Sequence, residues 1–205
     1  MITITSFPRL RCLTFAFSLI FGMLGVATGA PKTETCVACH GVDGNSAVPT
    51  WPKLAGQHEQ YLVKQLKDFR LGEKGPRYDP SMYPMVAALS DQDIIELAAF
   101  YASQTQVPGK ARMDAVALGS KIYRGGNMAS GVAACSGCHG PNAKGNAAAN
   151  FPRLSGQHAD YLATQLRKFK EGQRTNSAAN MMSAISHRLT EEEIKAVSSY
   201  IEGLN

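Results

Sequence analysis

The chain repeats itself at a spacing of one hundred residues, and this limits what it can fold into more than any other feature. Pro52, Leu54, Gly56, Gln57, His58, Tyr61, Leu62, Gln65, Leu66 and Phe69 return as Pro152, Leu154, Gly156, Gln157, His158, Tyr161, Leu162, Gln165, Leu166 and Phe169. Leu89, Ser90 and Ile94 return in the same register as Leu189, Thr190 and Ile194. Such self-similarity predicts two tandem copies of one structural unit. The break between them falls in Ser103 to Asp114, a polar stretch carrying a Pro108-Gly109 breaker. The expected organisation is an N-terminal segment 1–30, a first domain 31–107 and a second domain 108–205.

Residues 1–30 read as a cleaved export signal. Arg9 and Arg11 form a basic start, Cys12 to Ala27 is almost wholly apolar, and Gly25, Ala27, Gly29 and Ala30 supply small residues for cleavage. The apolar run is short for a membrane span, which needs about 20 residues. The expected location is therefore the periplasm. Of the five cysteines, Cys12 leaves with the signal; the other four lie in two C-x-x-C-H segments. Without Arg9 and Arg11 the chain keeps a small excess of base, spread along helical faces rather than clustered, so no nucleic-acid partner is expected.

Helical periodicity dominates both copies. Ser90 followed by Asp93 predicts a capping-box start, and Ile94, Ile95, Leu97, Ala98 and Tyr101 then mark an apolar face. Thr190, Ile194, Val197 and Ile201 do the same in the second copy. A further amphipathic helix is predicted from about His58 to Leu71, with its counterpart from His158 to about Lys170. No segment reads as a strand, so the fold class is all-α with long loops. Units below about 100 residues have marginal cores of their own, and a buried cofactor in each would supply apolar volume.

The chemistry lies in Cys36-Val37-Ala38-Cys39-His40 and Cys135-Ser136-Gly137-Cys138-His139. On a helix, positions i, i+3 and i+4 share one face. Both thiols can then form thioethers with the vinyl groups on a porphyrin edge while the histidine turns to the iron. Two haem c groups are thus expected, held by Cys36, Cys39, Cys135 and Cys138, with His40 and His139 as proximal ligands. A tetrathiolate zinc site would have to join cysteines about 95 residues apart in separate repeats. A thioredoxin-like pair expects a βαβ setting, and a plain disulfide leaves the adjacent histidines unexplained.

A methionine opposite the histidine would close each iron and raise its potential. Met82, Met85, Met181 and Met182 are placed for this, and the repeat chooses: Met82 maps onto Met182, whereas Met85 maps onto Ile185 and Met181 onto Ser81. Met82 and Met182 are the expected distal ligands, although a one-residue slip would exchange Met181 for Met182. Met85, Met113 and Met128 read as ordinary packing residues. His58 and His158 are also repeat-equivalent, but their place at a helix start after a Gly-Gln turn suits a capping or surface polar role. His187 has no counterpart. Tyr61, Gln65, Tyr161 and Gln165 suit either helix packing or hydrogen bonds to haem propionates, and Arg77, Arg174, Lys53 and Arg153 are further propionate candidates.

The duplicated C-x-x-C-H, the runs 52–57 and 152–157, Ser90-Asp91-Gln92-Asp93, Tyr123-Arg124-Gly125-Gly126 and the Ser199 to Leu204 end together resemble the cytochrome c4 family across nearly all of the mature chain. The resemblance implies two class I cytochrome c domains related by a pseudo-twofold axis, with haem propionates facing across the interface. It also implies an electron carrier rather than an enzyme, taking electrons from a membrane donor complex towards a terminal oxidase, compatible with a loose membrane association. The alternative is the dihaem electron-accepting subunit of a flavocytochrome c sulfide dehydrogenase-like enzyme. One departure is expected: Gly119 and Tyr123 lie on a helix before the second motif, packed near Tyr200, but too few mature residues precede Cys36 for an equivalent, so the first domain lacks most of that helix or else part of residues 1–30 is retained and serves as one.

Overall fold

The computed structural model describes residues 32–205. The export-signal reading falls on residues outside that range. Nine α-helices follow one another in the described residues: α1 Glu34–His40, α2 Glu59–Arg70, α3 Tyr83–Val86, α4 Asp91–Ser103, α5 Val116–Gly125, α6 Ser136–His139, α7 Ala159–Lys170, α8 Met181–His187 and α9 Glu191–Glu202. Among the described residues only isolated bridges occur between extended segments, with no strand. The all-α expectation is met.

Local chemistry sets the ends of the principal helices. Ser90 accepts from the Asp93 amide while the Asp93 carboxylate accepts from the Ser90 amide, and Thr190 and Glu193 repeat this reciprocal cap on α9. Each cap satisfies two amides that a helix start otherwise leaves unpaired. The C-x-x-C-H helices stop at Gly41 and Gly140, with φ of 80° and 78°. A side chain is strained at that φ, and at Gly41 a Cβ would also lie 2.9 Å from the Asn45 carbonyl oxygen.

Each repeat has its own core. In the first, Leu62 of α2 packs with Leu97, Ala98 and Tyr101 of α4, and Cys36 and Leu54 lean on this cluster. In the second, Leu162 and Ala163 of α7 meet Ile194, Val197 and Ile201 of α9, and α5 adds Ile122 and Tyr123. Helix α5 crosses α9 closely because Gly119 has no side chain: a Cβ there would sit 2.3 Å from the Ala196 carbonyl oxygen and 2.5 Å from Tyr200 Cβ. The rings of Tyr123 and Tyr200 lie 5.8 Å apart beside this crossing. Among the described residues α4 has no counterpart of α5 over it, and its Ile95 is exposed.

The repeats join through a reciprocal seam. Gln57 Nε2 donates to the Arg153 carbonyl at 2.8 Å, and its Oε1 accepts from the Arg153 amide at 2.9 Å. Gln157 makes the same two bonds to Lys53, at 2.8 and 2.9 Å. His58 Nε2 lies 2.9 Å from the Lys144 carbonyl oxygen, and His158 Nε2 lies 2.8 Å from that of Ser46. The glutamine contacts are matched by their repeat equivalents, and the two histidines reach the same loop of the opposite repeat at positions one residue apart.

Candidate haem-binding sites

The two histidines of the attachment motifs are presented alike. His40 and His139 end α1 and α6 and are almost fully buried, at 5% and 6% exposure. His40 Nδ1 lies 2.9 Å from the Pro52 carbonyl oxygen, and His139 Nδ1 lies 3.0 Å from that of Pro152. A carbonyl can only accept, so Nδ1 carries the proton and Nε2 keeps its lone pair. Burial lowers both imidazole pKa values, which favours the neutral, ligating form. The carbonyl that fixes each ring belongs to the repeated Pro52 and Pro152.

Cys36 and Cys39 stand on α1, Cys138 stands on α6 with Cys135 at its N-cap, and none of the four forms a disulfide: Cys36, Cys39 and Cys135 are half-buried and Cys138 is exposed. Burial pushes the Cys36 thiol pKa up and takes that of Cys135 to about 11. A redox-active C-x-x-C pair needs the opposite shift, towards thiolate at neutral pH. Among the described residues no three Cys, His, Asp or Glu side chains converge. In each repeat the paired thiols and the oriented imidazole with its free nitrogen fit a covalently held haem.

The candidate methionines separate by exposure. Met82 caps α3 and is half-buried, whereas Met85 is 44% exposed. Met182 is half-buried and its amide donates to Ser177 Oγ at 3.2 Å, whereas Met181 is 36% exposed. The chain enters α8 through two residues of positive φ, Ala179 and Asn180. Met82 and Met182 each stand eight residues before a helix cap, Ser90 and Thr190.

Several polar residues take other places than expected. His58 and His158 precede their helices but make no side-chain cap; they bond across the seam instead. Lys53 is buried and donates to the carbonyls of Val107 and Gly156, binding the connecting stretch rather than standing free for a propionate. Arg153 Nε bonds Ser155 Oγ. Tyr61, Gln65, Tyr161 and Gln165 converge with Arg77 and Arg174 where the repeats meet. Asn176 and Asp68, which no sequence signal singled out, join this cluster.

The Cytochrome c family matches the chain twice, over residues 28–105 and 116–205. A cytochrome c4 from Azotobacter vinelandii is 49% identical over 186 residues, covering 87% of this chain and 89% of that protein. The chain belongs to the cytochrome c4 family. The crystal structure of reduced recombinant cytochrome c4 from Pseudomonas stutzeri is 46% identical, with a TM-score of 0.82 over 85% of this chain and 95% of that one. A thiosulfate dehydrogenase electron acceptor from Thiomonas intermedia is more distant, 35% identical over 85% of this chain and 81% of that protein. As a member of the cytochrome c4 family the chain is a dihaem electron-transfer protein carrying two haem c groups on tandem cytochrome c domains.

Proposed function

We propose that Cys36 and Cys39 tether one haem and Cys135 and Cys138 the other, with His40 and Met82 on the first iron and His139 and Met182 on the second. The observation that carries this reading is the identical presentation of the two histidines, each with Nδ1 held by its proline carbonyl and Nε2 free. Bound haem c supplies a one-electron couple. The chain's part is to orient each imidazole, to offer a half-buried thioether rather than an exposed one, and to hold two centres in one body. Two closed centres leave no open position for substrate, so the protein passes electrons singly and performs no bond chemistry.

The protein works in the periplasm after removal of residues 1–30, with domains over 31–107 and 108–205. It passes electrons from a membrane donor complex to a terminal oxidase. No described helix is long and apolar enough to cross a membrane, and a loose membrane association is compatible with this reading. A second reading is that it accepts electrons from a dedicated dehydrogenase, favoured by the likeness to a thiosulfate dehydrogenase electron acceptor.

Mixing the reduced protein with membranes of its source organism tests the choice. Rapid, cyanide-sensitive reoxidation is expected. Membranes that leave it reduced, alongside specific reduction by a sulfur-compound dehydrogenase, would favour the second reading.

A further inference from the structure

The carbonyl that orients each motif histidine belongs to a peptide group whose other end is also bound. His40 Nδ1 donates to the Pro52 carbonyl at 2.9 Å, and the N–H of that same peptide group, the Lys53 amide, donates to Gln157 Oε1 at 2.9 Å. In the second repeat His139 Nδ1 donates to the Pro152 carbonyl at 3.0 Å, and the Arg153 amide donates to Gln57 Oε1 at 2.9 Å. Both peptide groups are trans, so the carbonyl oxygen and the amide hydrogen point to opposite sides. Each peptide group therefore stands between a histidine of its own repeat and a glutamine of the other.

The glutamines are held in place at every polar atom that faces this group. Gln157 Nε2 returns to the Lys53 carbonyl at 2.8 Å, and Gln57 Nε2 returns to that of Arg153 at 2.8 Å. Each Oε1 also accepts from the amide of the residue that follows it, His158 or His58, at 3.1 Å. Both lone pairs of the oxygen are then used. Gln57, Gln157 and Lys53 are buried. In such surroundings hydrogen bonds in series polarise one another, each strengthening its neighbour by about 10–30%. A peptide group whose N–H is donated is thus a better acceptor at its oxygen.

We infer that Gln157 tunes the iron held by His40 and that Gln57 tunes the iron held by His139, each repeat setting the electron donation of the other's proximal ligand. The inference rests on His40 and His139 being those ligands, and it makes the two glutamines positioning residues. A stronger acceptor at Nδ1 raises the basicity of a ligating imidazole, which favours ferric over ferrous iron. Loss of the glutamine oxygen therefore weakens the Nδ1 bond and raises the potential of the haem across the seam. A glutamine with a packing role alone would disturb its own repeat first, since Gln157 and Gln57 lie two residues before α7 and α2.

The test is a redox titration of the dihaem protein followed by nuclear magnetic resonance, which reads each haem through the imidazole signals of its own histidine. Gln157→Met keeps the length of the side chain and removes the oxygen. It is expected to raise the reduction constant of the first repeat's haem roughly threefold, about 28 mV for a one-electron couple. The His40 Nδ1 proton of the reduced protein should move upfield, and the second haem should stay at its parent value. Gln57→Met should do the same to the second haem and His139 alone. Gln157→Glu keeps an oxygen acceptor and gives it charge, so it should lower the first haem's potential and move the His40 proton downfield; it decides the matter if the methionine variants fail to fold. A shift in the haem of the glutamine's own repeat, equal shifts in both haems, no shift in either, or methionine and glutamate variants moving the same way would overturn the inference. The ligation is checked separately in the parent, where His40 and His139 signals untouched by oxidation of the irons would overturn it and the inference with it.

Discussion

Gln57 and Arg153 are joined by two hydrogen bonds, side-chain amide to backbone amide, as one strand residue pairs with another, and Gln157 repeats the pairing on Lys53. The two glutamines are nearly buried, at 9% and 5% exposure. They close otherwise unpaired backbone groups of the opposite repeat. The seam is thus made by residues that the duplication supplies twice.

Gln57→Ala or Gln157→Ala leaves a buried amide and a buried carbonyl unsatisfied. Each is expected to cost about 1–3 kcal/mol. Denaturation followed by haem absorbance and far-ultraviolet dichroism should show the double variant losing the single shared transition, the repeats melting apart. A double variant no less stable than either single would show that the seam is held elsewhere.

Met82→Ala and Met182→Ala should each abolish the methionine–iron charge-transfer band of one haem and leave the other. Met85→Ala and Met181→Ala should leave both bands intact, as their greater exposure suggests. Loss of a band in Met181→Ala would place the ligand one residue earlier.

Gly119→Ala should destabilise the second repeat by about 1–3 kcal/mol, the usual range for forcing a group into a packed core. The added Cβ meets a backbone oxygen of α9, which cannot rotate away. The first repeat has no such crossing among the described residues, so its haem spectrum should be unchanged. Calorimetry of the variant checks the loss.

Asp93 contributes an acid-sensitive component to stability. Lys32 and the Ser90 cap hold its carboxyl at about 2, against an ordinary value of 3.8. A carboxylate depressed on folding stabilises above its ordinary pKa, and the contribution disappears as pH falls towards the folded value. Parent stability should therefore decline between pH 4 and pH 2 more steeply than that of Asp93→Asn. Equal slopes would show that the cap carries no charge dependence.

Much of this was legible because the duplication marks residues by their return. The helical fold and the caps at Ser90 and Thr190 follow from local patterns that recur, whereas the Pro52 and Pro152 carbonyls that hold the histidines were visible only as a repeated run. The seam was harder to read. His58 and His158 look like capping residues because what they bond, the carbonyls of Lys144 and Ser46, lies in the other repeat. Arg77 and Arg174 fall at an offset of 97, outside the hundred-residue register, so the repeat did not pair them. Asn176 and Asp68 matter through contacts more than a hundred residues apart in sequence, and such contacts leave no local periodicity.

The central claim is that both irons are closed by one histidine and one methionine in a single two-centre carrier. An anaerobic optical redox titration of the purified protein tests it most directly. Two one-electron haems, each showing the methionine–iron band when oxidised and neither binding carbon monoxide rapidly when reduced, are expected. One haem without that band, or one ferrous haem taking up carbon monoxide rapidly at neutral pH, would contradict it.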